Sequence, residues 1–187
     1  MGQIPVTPRG IKPLLIGDHV PELDLIDSNG NNFDLGKLTG GKPTILIFYR
    51  GWWCPYCNVQ LQQLKIHESD LSKLGYQIIA ISPDLPEFLR KSIETHKLHF
   101  IFLSDSKMTA AMAFGIAYTL DEQTLEQYKK YNINLEEASG EKHHMLPVPS
   151  IFITTTDGTI KFEYVNPDYK VRIDPGLLLA AAKVSLI

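Results

Sequence analysis

Short runs of consecutive apolar residues recur along the chain, and each is bounded by glycine, proline or polar residues. They cover residues 43–49, 76–82, 100–103 and 150–155. Continuous runs of this length, rich in β-branched and aromatic side chains, are typical of strands inside a sheet. The pattern therefore predicts four such strands.

Between these runs, apolar residues return every three or four positions, which is the spacing of one helix face. The longest predicted helix covers 54–74 and stops at Gly75. Its apolar face would carry Cys57, Leu61, Leu64, Leu71 and Leu74. Shorter helices are predicted over 84–93, 106–114, 120–131 and 176–186. We expect Asp84 to cap the first of these shorter helices.

Turn residues indicate a hairpin near each end of the chain. Ser28-Asn29-Gly30 separates strand-like segments at 20–27 and 32–35, and Asp157-Gly158 precedes a return strand over 159–165. The order of elements predicts an α/β protein with an N-terminal β-hairpin and a mixed central sheet flanked by helices. With 187 residues, we expect a single domain over 1–187.

Composition and charge exclude several classes of protein. The net charge is −3 and the calculated isoelectric point is near 6.1, which argues against nucleic acid or an acidic membrane as partner. No apolar stretch approaches the roughly 18 residues of a spanning helix, and the N-terminus lacks a signal-peptide pattern. We therefore expect a cytoplasmic protein, in which a lone pair of cysteines is more often redox-active than structural.

That pair forms the motif Cys54-Pro55-Tyr56-Cys57, between an apolar run and an amphipathic helix. Pro55 suits the first helical turn, so Cys54 is predicted at the helix N-terminus, exposed, where free N–H groups favour a thiolate. Cys57 lies one turn on, facing the core. Structural zinc normally needs four ligands, so a redox dithiol without a metal is the favoured interpretation.

The chain resembles the peroxiredoxin-like AhpC/TSA branch of the thioredoxin-fold superfamily. The resemblance rests on the segments FYRGWWCPYC (48–57) and LPVPSIFI (146–153), on Asp157-Gly158, and on Asp168-Tyr169 with Arg172. It implies a thioredoxin-like fold with a peroxiredoxin-like elaboration. We interpret Tyr169 and Arg172 as members of a surface ion pair.

Two registers of the resemblance assign different roles to the cysteines. In the thioredoxin register, Cys54 is the nucleophile and Val148-Pro149-Ser150 places a cis proline against it. In the peroxiredoxin register, the attacking cysteine falls on Cys57, and Cys54 takes the position of the family's threonine. That register also departs from the family, because Arg50 replaces its active-site proline and Pro149 its arginine.

The resemblance implies a thiol-based oxidoreductase in which Cys54 attacks a disulfide or peroxide and Cys57 resolves the product. Trp53, Pro55, Tyr56, Pro149 and Arg50 are the candidate substrate-binding residues, with Arg50 also stabilising a thiolate by its charge. No bound cofactor is needed, since the sulfurs carry the electrons. A dithiol reductant such as thioredoxin, or glutathione, would reset the pair. Oligomeric state remains open.

Residues 116–147 interrupt the α/β alternation with a predicted helix over 120–131 and a polar loop over 134–144. A lone helix of this length is marginal in water, so its apolar stripe must be buried. We expect this insertion to cover part of the active-site face. The alternative function, a redox-sensing binding module, would use the disulfide to gate a partner through this insertion.

Overall fold

A computed structural model describes residues 3–186, so the ends of the expected domain at 1–2 and 187 lie outside it. Nine strands are present in that part of the chain: β1 Asp24–Asp27, β2 Asn32–Asp34, β3 Thr44–Phe48, β4 Gln77–Ser82, β5 Ile101–Ser104, β6 Ala117–Thr119, β7 Met145–Pro147, β8 Ser150–Thr154 and β9 Ile160–Val165. The α-helices of the same part are α1 Leu35–Thr39, α2 Pro55–Lys65, α3 Glu68–Lys73, α4 Pro86–His96, α5 Thr109–Ala113, α6 Glu122–Lys130, α7 Leu135–Ser139 and α8 Pro175–Val184. None of the helices described could span a membrane by length and apolar character.

The central sheet is mixed, as predicted. Its seven strands run in the order β2-β1-β5-β4-β3-β8-β9, and β6 pairs with β7 in a separate two-stranded sheet. Strand β3 lies parallel to β4, with Leu46 opposite Ile79, and antiparallel to β8, with Leu46 opposite Phe152. Every residue of β3 is buried because both faces of the sheet are covered.

Alternate residues of β3 enter two different cores. Phe48 packs against Phe114 on one face of the sheet, with ring centroids 4.8 Å apart. Ile47 belongs to the other core, which also contains Cys54 and Cys57. The dithiol is therefore fixed to the sheet by the packing of α2.

The helix predicted over 54–74 is divided in two. Ile66 and His67 donate their backbone N–H groups to carbonyls three residues back, at 3.2 and 3.1 Å, which tightens and ends α2. His67 then becomes the N-cap residue of α3. The apolar spacing continues across this break, and for that reason the sequence pattern did not reveal it.

The polar loop predicted over 134–144 contains a helix. Asn134 caps α7 by accepting from the Glu137 N–H at 3.2 Å, and Gly140 ends it in a left-handed conformation. The two strands β6 and β7 pair at the ends of the insertion and bring residues 117 and 147 opposite each other. The two ends of the insertion are therefore adjacent, and the segment between them contains two helices.

The predicted cis peptide bond at Pro149 is wrong, because no cis bond occurs among the described residues. A trans bond lets the chain run extended from β7 into β8. Val148 supports this path: its N–H donates to Ile116 O at 2.8 Å, and its carbonyl accepts from Ser150 Oγ at 2.7 Å. The argument for the thioredoxin register that rested on Pro149 therefore fails.

Candidate active site

Cys54 is the N-cap residue of α2, as the motif predicted. Its backbone is extended, with φ −90° and ψ 111°, and Pro55 follows at the first helical position. The backbone N–H groups of Cys57 and Asn58 both donate to the Cys54 carbonyl at 3.1 Å. The Cys54 side chain thus lies where the free N–H groups of the helix point.

The two cysteines lie 3.0 Å apart and are both free thiols. A disulfide has a sulfur–sulfur bond of about 2.05 Å, so only a small movement would join them. Cys57 is fully buried, as expected, but the predicted exposure of Cys54 is wrong, since its exposed fraction is 1%. The pair is oriented for intramolecular reaction beneath a covering layer.

The environment separates the acidities of the two thiols. The pKa of Cys54 is lowered to about 6, first because the Cys57 thiol donates a hydrogen bond to its sulfur, and further by the charge of Arg50. The pKa of Cys57 is raised well above its usual value, chiefly by burial and then by that same hydrogen bond. The arrangement favours a thiolate on Cys54 and a protonated Cys57.

Arg50 occupies a buried aromatic cage above Cys54. Its exposed fraction is 3%, and its Nη1 lies 3.7 Å from Cys54 Sγ. The guanidinium carbon is 4.0 Å from the centre of the Tyr169 ring, 5.1 Å from Trp53 and 5.6 Å from Tyr128. These rings hold the charge next to the sulfur.

Arg172 binds the second sulfur, which corrects its interpretation as part of a surface ion pair. Its Nη2 donates to Cys57 Sγ at 3.3 Å, and its Nη1 donates to the buried Gln60 at 2.7 Å. A third bond, from Nε to the Tyr169 carbonyl at 2.9 Å, fixes the side chain. The Arg50 backbone N–H also points at Cys57 Sγ, at 3.4 Å.

Asp84 holds the loop before Cys54 instead of capping a helix. Leu85 is the N-cap residue of α4, and no side-chain cap is formed there. Asp84 Oδ2 accepts from the Trp52 backbone N–H at 2.9 Å. Gly51, with φ +143°, permits this approach: a Cβ there would lie 2.8 Å from Asp84 Oδ1 and 2.5 Å from Trp53 Nε1.

The other candidate residues divide between the site and its rim. Trp53 is half-buried against Arg50 and Tyr128. Tyr56 is 41% exposed, with its ring edge-on to Tyr169 at 5.6 Å. Pro55 is also exposed, beside Cys54.

The insertion covers the active-site face, as predicted. The Tyr128 hydroxyl of α6 bonds to Arg50 Nη2, and its ring lies 5.8 Å from that of Trp53. Tyr128 and Trp53 thus form part of the layer that hides Cys54 from solvent. Within residues 3–186, no three histidine, cysteine or acidic side chains form a potential metal site.

Comparison with known proteins identifies the family. The AhpC/TSA family matches residues 16–163. The chain belongs to the AhpC/TSA family. Peroxiredoxin Bcp of Escherichia coli is 32% identical over 106 residues, covering 57% of this chain and 67% of that protein. The chain is accordingly a thiol-based oxidoreductase of the peroxiredoxin type, which confirms the expectation of an enzyme.

Solved structures confirm the thioredoxin-like fold. Peroxidoxin BcpB from Mycobacterium tuberculosis superposes with a TM-score of 0.69 at 19% identity, covering 90% of this chain and 96% of that one. The reduced Prx3 of Vibrio vulnificus in complex with H₂O₂ gives a TM-score of 0.74 at 15% identity, covering 91% and 96%. At these identities the likeness concerns the fold alone.

Proposed function

We propose that the Cys54 thiolate attacks a small hydroperoxide and that Cys57 resolves the product. The observation that carries this proposal is the position of Cys54 at the N-terminus of α2, with a lowered pKa and with Cys57 3.0 Å away. A thiolate is the nucleophilic form of cysteine, so a lowered pKa keeps it reactive at neutral pH.

The proposed cycle transfers two electrons from sulfur to peroxide. Cys54 sulfur forms a bond to one peroxide oxygen, the O–O bond breaks, and the departing oxygen takes a proton to become water or an alcohol. Cys57 sulfur then attacks the sulfenic acid on Cys54, and water leaves as the disulfide forms. A dithiol reductant reopens the disulfide by thiol exchange.

The burial of Cys54 favours a peroxide over a disulfide as oxidising substrate. A sulfur with an exposed fraction of 1% can be reached by a small molecule after a minor movement, whereas a protein disulfide must contact the sulfur along a line of three sulfur atoms. Trp53 and Arg50 would contact the peroxide, and Pro55 and Tyr56 on the rim would meet the reductant. We propose thioredoxin or glutathione as that reductant, in the cytoplasm.

One observation favours the opposite order of attack. Arg172 and the Arg50 backbone N–H both donate to Cys57 Sγ, at 3.3 and 3.4 Å, and would stabilise a thiolate there. In this second candidate Cys57 attacks the peroxide and Cys54 resolves. The burial of Cys57 and the proton it shares with Cys54 favour the first candidate.

Paired serine variants distinguish the two orders. We expect Cys57→Ser to form one equivalent of sulfenic acid on Cys54 when treated with peroxide, and to be alkylated by iodoacetamide with a midpoint above the wild-type value of about pH 6, because the Cys57 thiol no longer donates to the Cys54 sulfur. Cys54→Ser should react slowly with both reagents. If Cys54→Ser instead forms the sulfenic acid rapidly, Cys57 is the attacking sulfur. If neither single variant nor the wild type consumes peroxide, peroxide is not the substrate.

A further inference from the structure

A buried carboxyl group holds the loop before Cys54 and has one oxygen unused. Asp84 has an exposed fraction of 1%. Its Oδ2 accepts two hydrogen bonds, from Trp52 N at 2.9 Å and from the Ser82 hydroxyl at 2.8 Å. Its Oδ1 is buried and has no partner within the described residues. An unpartnered buried oxygen is costly, so this arrangement calls for a function.

A small cavity adjoins Asp84. It has a volume of about 10 Å³ and is lined by Arg50, Trp53 and Asp84, together with Pro83 and with uncharged residues of α7 and β7 that include Ser139. This is about the space that one water molecule requires. Arg50 Nε is likewise buried without a partner in the part of the chain described, so the cavity lies between two groups that can bind water.

Charge couples Asp84 to Cys54. Burial above all, with a smaller contribution from the negative charge of Cys54, raises the pKa of Asp84 to about 7. Two acids that share a buried environment beside one arginine resist carrying two negative charges. While Cys54 is a thiolate, Asp84 is mostly protonated below about pH 7, and the proton is on Oδ1 because Oδ2 already accepts two donors.

We propose, on the basis of the proposed function, that Asp84 is the proton donor that protonates the departing group when Cys54 is oxidised. As Cys54 sulfur bonds to peroxide oxygen it loses its negative charge. The O–O bond breaks, the Oδ1–H bond of Asp84 breaks, and the proton passes through the cavity to the departing oxygen. Asp84 is left as a carboxylate and regains its proton when reduction restores the thiolate.

The groups that face Asp84 support this assignment. Arg50 and Cys54 lie on the side of the active-site loop, and Tyr49 directly follows β3, with its hydroxyl buried and without a partner in the described residues. The cavity residues contributed by α7 and β7 carry no charge. Cys54 is therefore the acid whose charge changes during the cycle and is felt by Asp84.

Redox-difference infrared spectroscopy tests the proton directly. Wild-type protein at pH 6.5, converted from dithiol to disulfide with diamide, should lose a protonated-carboxyl band and gain a carboxylate band. Asp84→Asn should lack this change. Asp105→Asn is the matched control, since Asp105 is also buried but all its bonds go to α5, and it should retain the change. A wild-type spectrum without carboxyl changes would overturn the proposal.

Kinetics give a second, independent test. We expect peroxide to oxidise Asp84→Asn more slowly than wild type, by on the order of 10²-fold. This is the usual loss of rate when an acid–base group is removed. Iodoacetamide needs no proton from Asp84, so alkylation of Cys54 should be undiminished, with its midpoint unchanged because Asp84 is mostly protonated, and so uncharged, in the pH range where Cys54 ionises. An unchanged peroxide rate, or equal slowing of both reactions, would refute the role. Diamide oxidation works even if peroxide is not the substrate, so the spectroscopic result is independent of the proposed function.

Discussion

At the scale of single residues, two arginines distinguish the sulfurs: Arg50 lies beside Cys54 and Arg172 beside Cys57. The motif spacing was sufficient to predict that Cys54 lies at the helix N-terminus and that Cys57 faces the core. The contact of Arg172 could not be predicted, because 115 residues separate it from Cys57 and only the packing of the C-terminal segment brings them together. From the sequence, Asp84 was interpreted only as a helix cap. Aspartate serves both as a helix cap and as a buried acid that holds a loop, and the sequence pattern does not distinguish the two roles.

The charge of Arg50 should set the reactivity of Cys54. An opposite charge at this range lowers the pKa of an acid by about 1–3 units. Arg50→Gln should therefore move the midpoint of Cys54 alkylation to higher pH by that amount and slow the reaction at pH 6.5. Arg50→Lys, which keeps the charge, is the matched control and should remain near wild type. Equal midpoints in the glutamine and lysine variants would contradict a role for the charge.

At the scale of elements, α6 packs on the core through the half-buried side chains of Leu125 and Tyr128. None of its residues is buried, and its Tyr128 contacts both Arg50 and Trp53. The amphipathic spacing predicted this helix. It also predicted that the apolar stripe of the helix would be buried against another part of the protein. Helix α7 was missed because five residues are too few to show a period, and the break between α2 and α3 was missed because the apolar spacing runs through it.

The bond between Tyr128 and Arg50 should control access to Cys54. A hydrogen bond to a charged group is worth about 1.5 kcal/mol or more, which corresponds to about a tenfold change in the population of an opened state. Tyr128→Phe should therefore speed alkylation of Cys54 about tenfold at pH 8, where the thiolate is already formed. Tyr131→Phe is the control, since Tyr131 is 76% exposed beside the same helix. Identical rates in both variants would show that α6 does not limit access.

At the scale of the whole molecule, the pattern of apolar runs was sufficient for the α/β class and for the interior strands. It did not determine that β5 and not β2 lies between β4 and β1, because strand order depends on contacts between distant segments. Nor could it show that the site contains a fully buried acid. That acid has a consequence for the stability of the entire fold.

Asp84 should make the reduced protein less stable as pH rises. Its pKa increases from the usual 3.8 to about 7 on folding, so the folded state binds the proton more tightly. The associated stability is present below pH 3.8 and is lost as pH rises to about 7. Since one pKa unit corresponds to about 1.4 kcal/mol, Asp84→Asn should gain up to about 4 kcal/mol relative to wild type between pH 4 and pH 8, measured by urea unfolding. Asp157→Asn is the control: turn hydrogen bonds lower the pKa of Asp157 in the folded state, so its stability difference from wild type should vary only below about pH 4 and stay nearly constant where that of Asp84→Asn changes. A stability difference between Asp84→Asn and wild type that does not vary with pH would mean that Asp84 is ionised in the folded protein throughout this range.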